Sequence, residues 1–274
     1  MVHGFTCKLG SMANNRTVSA LDEPLAQLAP SAAPLSRGTK VSERIANALV
    51  EDIIRDRLGP GDRLPNEQAM ADRFQVGRGS VREALRLLET HGMIKLKLGP
   101  RGGPQITAVD PREVGRTLSL YLGLRGATIE ELVQTRLFLE PKVARLAAEN
   151  RSDEDERRLR AALAAEEASN SDETGYIDAA NEFHYVLATM TGNRVLDLVA
   201  TALKDLYTSR IVNDGVARAA AGPGICQEHK TIGDAILAGD ADRAESLMRS
   251  HMDFYVERVR SVAPGFLNSR ITWG

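Results

Sequence analysis

The chain has 274 residues, 43% of them hydrophobic, and a formal net charge of −2 at pH 7. That length favours two domains with real cores, and no apolar run reaches the ~18 residues of a membrane-spanning helix, so no membrane partner is expected. The N-terminus lacks the basic-then-apolar pattern of a secretory signal, and two cysteines, Cys7 and Cys226, make no disulfide framework, so a cytoplasmic, reducing location is expected.

The charge is unevenly divided. Residues 40–108 carry 12 Lys/Arg against 9 Asp/Glu, net +3, whereas residues 109–262 carry 19 against 26, net −7. A basic module joined to a larger acidic one suits nucleic-acid binding by the first alone.

Residues 1–39 are rich in Ala, Pro, Ser and Asn without periodicity and are read as a disordered leader. Gly10-Ser11-Met12 has the look of a cloning scar, which makes residues 1–11 a candidate tag remnant. From Val41 to Arg57, Ile45, Leu49, Ile53 and Ile54 recur at helical spacing, and Gly59-Pro60-Gly61-Asp62 ends that helix. Asn66 is read as the N-cap of a second helix, Gln68 to Phe74, with Glu67 complementing the dipole. A turn, Gln75-Val76-Gly77, leads to a third helix beginning at Arg78 or Gly79. There Arg78, Arg82 and Arg86 share one face, backed by Val81, Ala84, Leu85 and Leu88. Met93–Lys97 and Gly103–Ile106 read as short strands around a Gly/Pro turn. Three helices plus a β-wing over residues 40–108 make a winged helix-turn-helix, whose recognition helix enters the major groove. An arginine ladder on an isolated helix is more often a solvated face; the turn and wing argue otherwise here. Arg86 serves equally well as a partner of Glu83 or Glu89.

Val109-Asp110-Pro111 marks a linker, taken as 109–117. Helical segments follow at Val114–Leu124, Ile129–Asn150, Asp153–Ser169, Thr174–Thr191, Arg194–Ile211, Ile225–Leu237 and Ala241–Val262. Thr128 and Glu131 form a capping box for the second of these, Asn213–Gly224 is a loop, and 263–274 is a tail. Six or seven helices with short connections over 118–262 imply an antiparallel all-α bundle, so the whole chain is mostly α.

Gly61-Asp62-Arg63-Leu64-Pro65-Asn66-Glu67, then Val76-Gly77-Arg78-Gly79-Ser80-Val81-Arg82-Glu83-Ala84-Leu85, then Leu88 and Gly92, resembles the GntR family of bacterial transcriptional regulators over about residues 41–107. The resemblance, in its FadR-like branch, implies that Arg78 and Arg82 are recognition-helix arginines, that Gly77, Gly79 and Ser80 lie at adjacent contact positions, and that Gly99 is the wing tip reaching the minor groove. Gln68 stands at a DNA-facing position where relatives often carry arginine, and Leu98 where some carry histidine. An arginine fork on guanine O6 and N7 gives about 1–3 kcal/mol of discrimination. Lys95, Lys97 and Arg101 suit phosphates, which give affinity without sequence choice.

Of the five histidines, His3 falls in the leader and His91 in the turn after the recognition helix; His184, His229 and His251 fall within bundle helices. Together with Arg136-Leu137-Phe138-Leu139-Glu140-Pro141, Phe183-His184, Thr191-Gly192-Asn193, Glu228-His229, Gly239-Asp240 and Met248, they resemble the FCD ligand-binding domain. That resemblance implies a divalent metal held by the three histidines and an Asp or Asn four residues before the first. Here that position is Ala180, and Asn181 is the substitute candidate. Neutral imidazoles suit Zn, Ni and similar ions. Arg136 is the candidate clamp for an effector carboxylate, or else the i,i+4 partner of Glu140. Tyr185, Asn193 and Tyr207 are further pocket candidates.

The function expected is a ligand-responsive regulator, a repressor, binding a palindromic double-stranded operator as a homodimer, with a small organic acid modulating affinity. A metal-dependent hydrolase fused to a DNA-binding domain is the alternative; three histidines suffice as ligands, but no general-base motif accompanies them. A nucleoid protein would instead bind any duplex equally.

Overall fold

The computed structural model describes residues 40–97, 99, 102–108, 110–169, 173–221 and 224–272. The predicted leader, its tag remnant and Arg101 lie outside the described residues.

The first unit comprises α1 (Val41–Arg55), α2 (Glu67–Phe74), α3 (Arg78–Thr90), β1 (Ile94–Lys97) and β2 (Gly103–Ile106). Asn66 caps α2 as predicted, its side chain accepting from Ala69 N at 2.9 Å. The apolar stripe of α3 closes on α1: Val81, Ala84, Leu85 and Leu88 join Ile45, Leu49 and Met70 in one core. Ile94 and Ile106, directly paired in the antiparallel wing, seal it from the sheet side. Helix α1 stops two residues before the predicted Arg57, whose φ of 53° belongs to no helix. Buried Asp52 ties α1 to α2, pairing with Arg55 at 2.7 Å and with Arg73.

The second unit contains α4 (Pro111–Leu124), α5 (Ile129–Asn150), α6 (Asp153–Ser169), α7 (Glu173–Thr189), α8 (Arg194–Asn213), α9 (Ala217–Ala221), α10 (Ile225–Ala238) and α11 (Ala241–Val262). Seven are long; the short α9 lies within the predicted loop. Two apolar clusters fill the bundle, one around Phe183, Leu187, Ile232 and Met248 and one around Ile129, Leu206, Tyr207 and Val259. Between the two lies the polar centre that holds the three histidines.

Two boundaries shift from expectation. The linker is mostly helix, because Pro111 opens α4 at a position where its missing N–H costs nothing. Helix α4 then lies close on α8: a Cβ on Gly115 would sit 2.9 Å from the Ala202 carbonyl oxygen. The tail is also structural. Phe266, Leu267 and Ile271 are buried, and the Leu267 and Ser269 carbonyls accept from Glu130 N and Ile129 N at 2.8 and 3.0 Å. These are first-turn N–H groups of α5, which have no partner inside their own helix. Thr128 completes that start with the predicted capping box. No helix among the described residues is long and apolar enough to cross a membrane.

Candidate functional site

The exposed end of α3 carries Arg78, Ser80 and Arg82 on the surface of the first unit. Arg78 Nε donates to Gln68 Oε1 at 2.6 Å, and its Nη2 donates to the same oxygen. Arg82 Nε meets Glu67 Oε2 at 2.8 Å. The first turn of α2 thus holds both arginines in place by exposed bonds that an incoming base or phosphate can replace. Gln68, expected from sequence to face DNA, holds Arg78 through its side-chain oxygen. Arg86 is exposed and makes neither of its two expected pairs among the described residues. A Cβ on Gly77 or Gly79 would meet nothing within 4 Å, and neither has positive φ. Nothing inside the chain demands glycine there, which fits close approach from outside to the α3 N-terminus, a natural phosphate site. On the wing, Lys95 and Lys97 are exposed, and Gly99 takes a φ of 106° that suits only glycine.

In the bundle, α7, α10 and α11 bring His184, His229 and His251 together, with their ligand nitrogens all within 4.8 Å of one another. Behind each ring stands a carboxylate on Nδ1: Glu140 of α5 at 3.1 Å from His184, Glu166 of α6 at 2.8 Å from His229, and Glu228 at 2.7 Å from His251. An Nδ1–H donated to a carboxylate leaves the Nε2 lone pair facing inward. His229 Nε2 and His251 Nε2 stand 3.3 Å apart. With Nδ1 protonated on both, two lone pairs oppose each other at that distance, an arrangement that calls for a cation between them. Two nitrogens at the Zn–N distance of about 2.0–2.1 Å in a tetrahedral shell are about 3.3–3.4 Å apart, so the donor set fits such an ion. Phe183 stacks on His229, with centroids 4.3 Å apart, and fixes the ring plane.

Burial sets the charges. It drives His184 and His229 well below the ordinary imidazole range and keeps them neutral. It pushes Glu166 up to about 7. Burial also opposes ionisation of Glu140, but His184 and Arg136 outweigh it and hold that carboxyl well below its usual range.

Beside the histidines is a cavity with about 60 Å³ of space for water centres, lined among others by Arg136, Asn181, Lys204 and Tyr207. The expected pocket residues fare differently. Arg136 lines it, yet its Nη2 is paired with Glu140 Oε1 at 2.7 Å, the alternative open from sequence, and it lies over the Tyr207 ring. Asn181, the expected substitute ligand, also lines it, and its Oδ1 accepts from Lys204 Nζ and, at 3.2 Å, from Thr208 Oγ1. Asn193 does not line the cavity: it caps α8, accepting from Val195 N and Leu196 N. Tyr185, half-buried next to His184, is likewise not among the lining residues.

Residues 41–101 match the model of the bacterial regulatory proteins of the gntR family, and residues 131–254 match the FCD domain. The transcriptional repressor NanR of Cronobacter sakazakii is 33% identical over 223 residues, covering 80% of this chain and 85% of NanR; NanR of Escherichia coli is 33% identical over 80% and 84%. The chain belongs to the GntR family of bacterial transcriptional regulators. Among solved structures, a GntR protein of Streptococcus agalactiae shares the fold, with a TM-score of 0.61 and 24% identity over 79% of this chain and 98% of that one. As a GntR regulator with an FCD domain the chain is a DNA-binding regulator, not an enzyme, and the three carboxylates near its histidines are all engaged with imidazoles. Sequence reasoning missed Glu166 and Lys204. Glu228 was visible only as a neighbour of His229, and Glu140 only as a partner of Arg136.

Proposed function

We propose that this GntR regulator is a repressor that binds a palindromic operator as a homodimer and senses a small organic acid in the bundle cavity. His184, His229 and His251 hold a divalent metal there. The observation that carries the sensing half is the convergence of three imidazole nitrogens, each ring backed by a carboxylate. An ion held so supplies a Lewis-acid anchor for an acid's oxygens. The repressor sense is supported by the relatives named above. Dimerisation follows from the limited contact set of one winged module, which two half-sites remedy. For the acid to act, it must bind the operator-competent and operator-incompetent arrangements unequally.

Two measurements test this. Duplexes selected from a random pool by the full chain should converge on a two-fold-symmetric sequence, with Arg78→Ala and Arg82→Ala each weakening its binding by about 5- to 150-fold, the equivalent of 1–3 kcal/mol. Equal affinity for all duplexes would return the nucleoid reading and sink this one. Elemental analysis after loading with Zn or Ni should give one ion per chain, lost in His229→Ala; an empty site in replete protein removes the metal.

A further inference from the structure

We propose that Lys204, rather than Arg136, is the counter-charge that receives the acid group of the effector. This rests on the bundle cavity being the effector site, as proposed above, but not on a metal being present.

The geometry carries it. Lys204 is 8% exposed and lines the cavity beside His184 and His229. An ammonium taken out of water at that depth normally meets a carboxylate. Lys204 Nζ meets only neutral oxygens, Asn181 Oδ1 and, at 3.3 Å, Thr208 Oγ1, and it forms no ion pair among the described residues. An ammonium has three N–H donors, so one remains after these two bonds. Arg136, the other cation of the cavity, is already neutralised by Glu140. Lys204 is therefore the cation of the cavity wall that has no carboxylate bonded to it, and an anion entering the cavity can take its remaining N–H. Asn181 and Thr208, bonded to each other and to Nζ, hold the ammonium in place. A neutral sugar gains only a hydrogen bond from Nζ, an anion gains a charge-assisted one as well as its pairing, and an amine is repelled, so the ligand class is an organic anion.

The same arrangement makes a stability prediction that does not need the effector's identity. A buried ammonium with no carboxylate bonded to it destabilises the free protein, so removing it should stabilise the free form and abolish the response to anions. The experiment is thermal denaturation of the full chain and of Lys204→Met, a change that keeps an unbranched apolar stem and drops the ammonium. Acetate, lactate, malonate, citrate and inorganic phosphate are each titrated, with chloride as the reference salt, on metal-loaded and on chelator-treated protein. Without anion, Lys204→Met should melt higher than wild type. With at least one carboxylate, wild type should gain stability saturably, and the variant should bind that acid at least tenfold more weakly. Lys204→Gln serves as the second variant should the methionine perturb packing. Stabilisation by phosphate alone would reassign the site to inorganic anions and overturn the organic-acid class. Equal acid affinity in wild type and both variants, or no Lys204-dependent stabilisation by any of the five, overturns the proposal. Responses that survive chelation refute the metal reading while leaving this one standing; responses that vanish in Lys204→Met while one ion per chain remains bound separate the two in the other direction.

Discussion

Each histidine of the site depends on the carboxylate behind it. Glu166, fully buried, accepts from His229 Nδ1, and such partners typically contribute 10–100-fold to metal affinity. Replacing it with glutamine keeps an acceptor but removes the charge. Zn affinity, measured by competition with a chromophoric chelator, should fall about tenfold; an unchanged affinity would mean that the carboxylate is packing alone. The histidines were legible because so few exist and each falls on a bundle helix. Glu166 was not, since it is one of four Glu on α6, all equivalent until α6 packs against α10. Lys204 was invisible for the same reason: a lone lysine on an amphipathic helix reads as solvent-facing, and only the packing of α8 against α7 buries it beside Asn181. Membership of a motif misled in the opposite sense at Asn193, where its position just before a helix, a capping signal, was the better guide.

Helix ends and crossings show the same division between local and tertiary information. The caps at Asn66 and Thr128 were readable because they are written within four residues. The close crossing of α4 on α8 at Gly115 was not, because it depends on the Ala202 carbonyl 87 positions away. At the α3 N-terminus stability and function should part company. Gly79 is a helical glycine with open space around its Cα, so Gly79→Ala should stabilise the chain by about 0.5–1 kcal/mol. If the space is kept for a phosphate or base edge, the same change should weaken operator binding several-fold. Denaturant melts and fluorescence anisotropy on one preparation decide it. A variant that is more stable and binds equally well would show that the glycine serves no DNA contact.

Across the whole molecule, the buried polar centre should shape stability against pH in an unusual way. In chelator-treated protein, His184 and His229 are depressed by burial. The unfolded chain therefore binds up to two more protons than the folded one below its imidazole range of about 6.5, and stability is lost as pH falls. Glu166, pushed up to about 7, acts with the opposite sign between about 7 and its ordinary value of 4.5, where the folded chain holds the extra proton; it offsets one of the two histidines. Lys204 is pushed down to about 7 by burial, with Arg136 adding to the effect. Between that value and its ordinary 10.5 the unfolded chain holds the extra proton, so stability rises with pH. The balance is a loss of about 1 kcal/mol per unit from 6.5 towards 5, a shallower rise near 7, and a gain of about 1 kcal/mol per unit from 7 to 9. Most proteins are most stable between about pH 5 and 8; this one should be more stable at 9 than at 7. Urea melts at half-unit intervals measure the curve, and Lys204→Met should flatten only its alkaline limb. A wild-type curve that falls from 7 to 9 would mean that Lys204 already has its counter-charge in the free protein. A saturating effector acid should flatten the same limb, because an anion on Nζ keeps the lysine protonated in the folded state to higher pH and removes the difference that creates the slope.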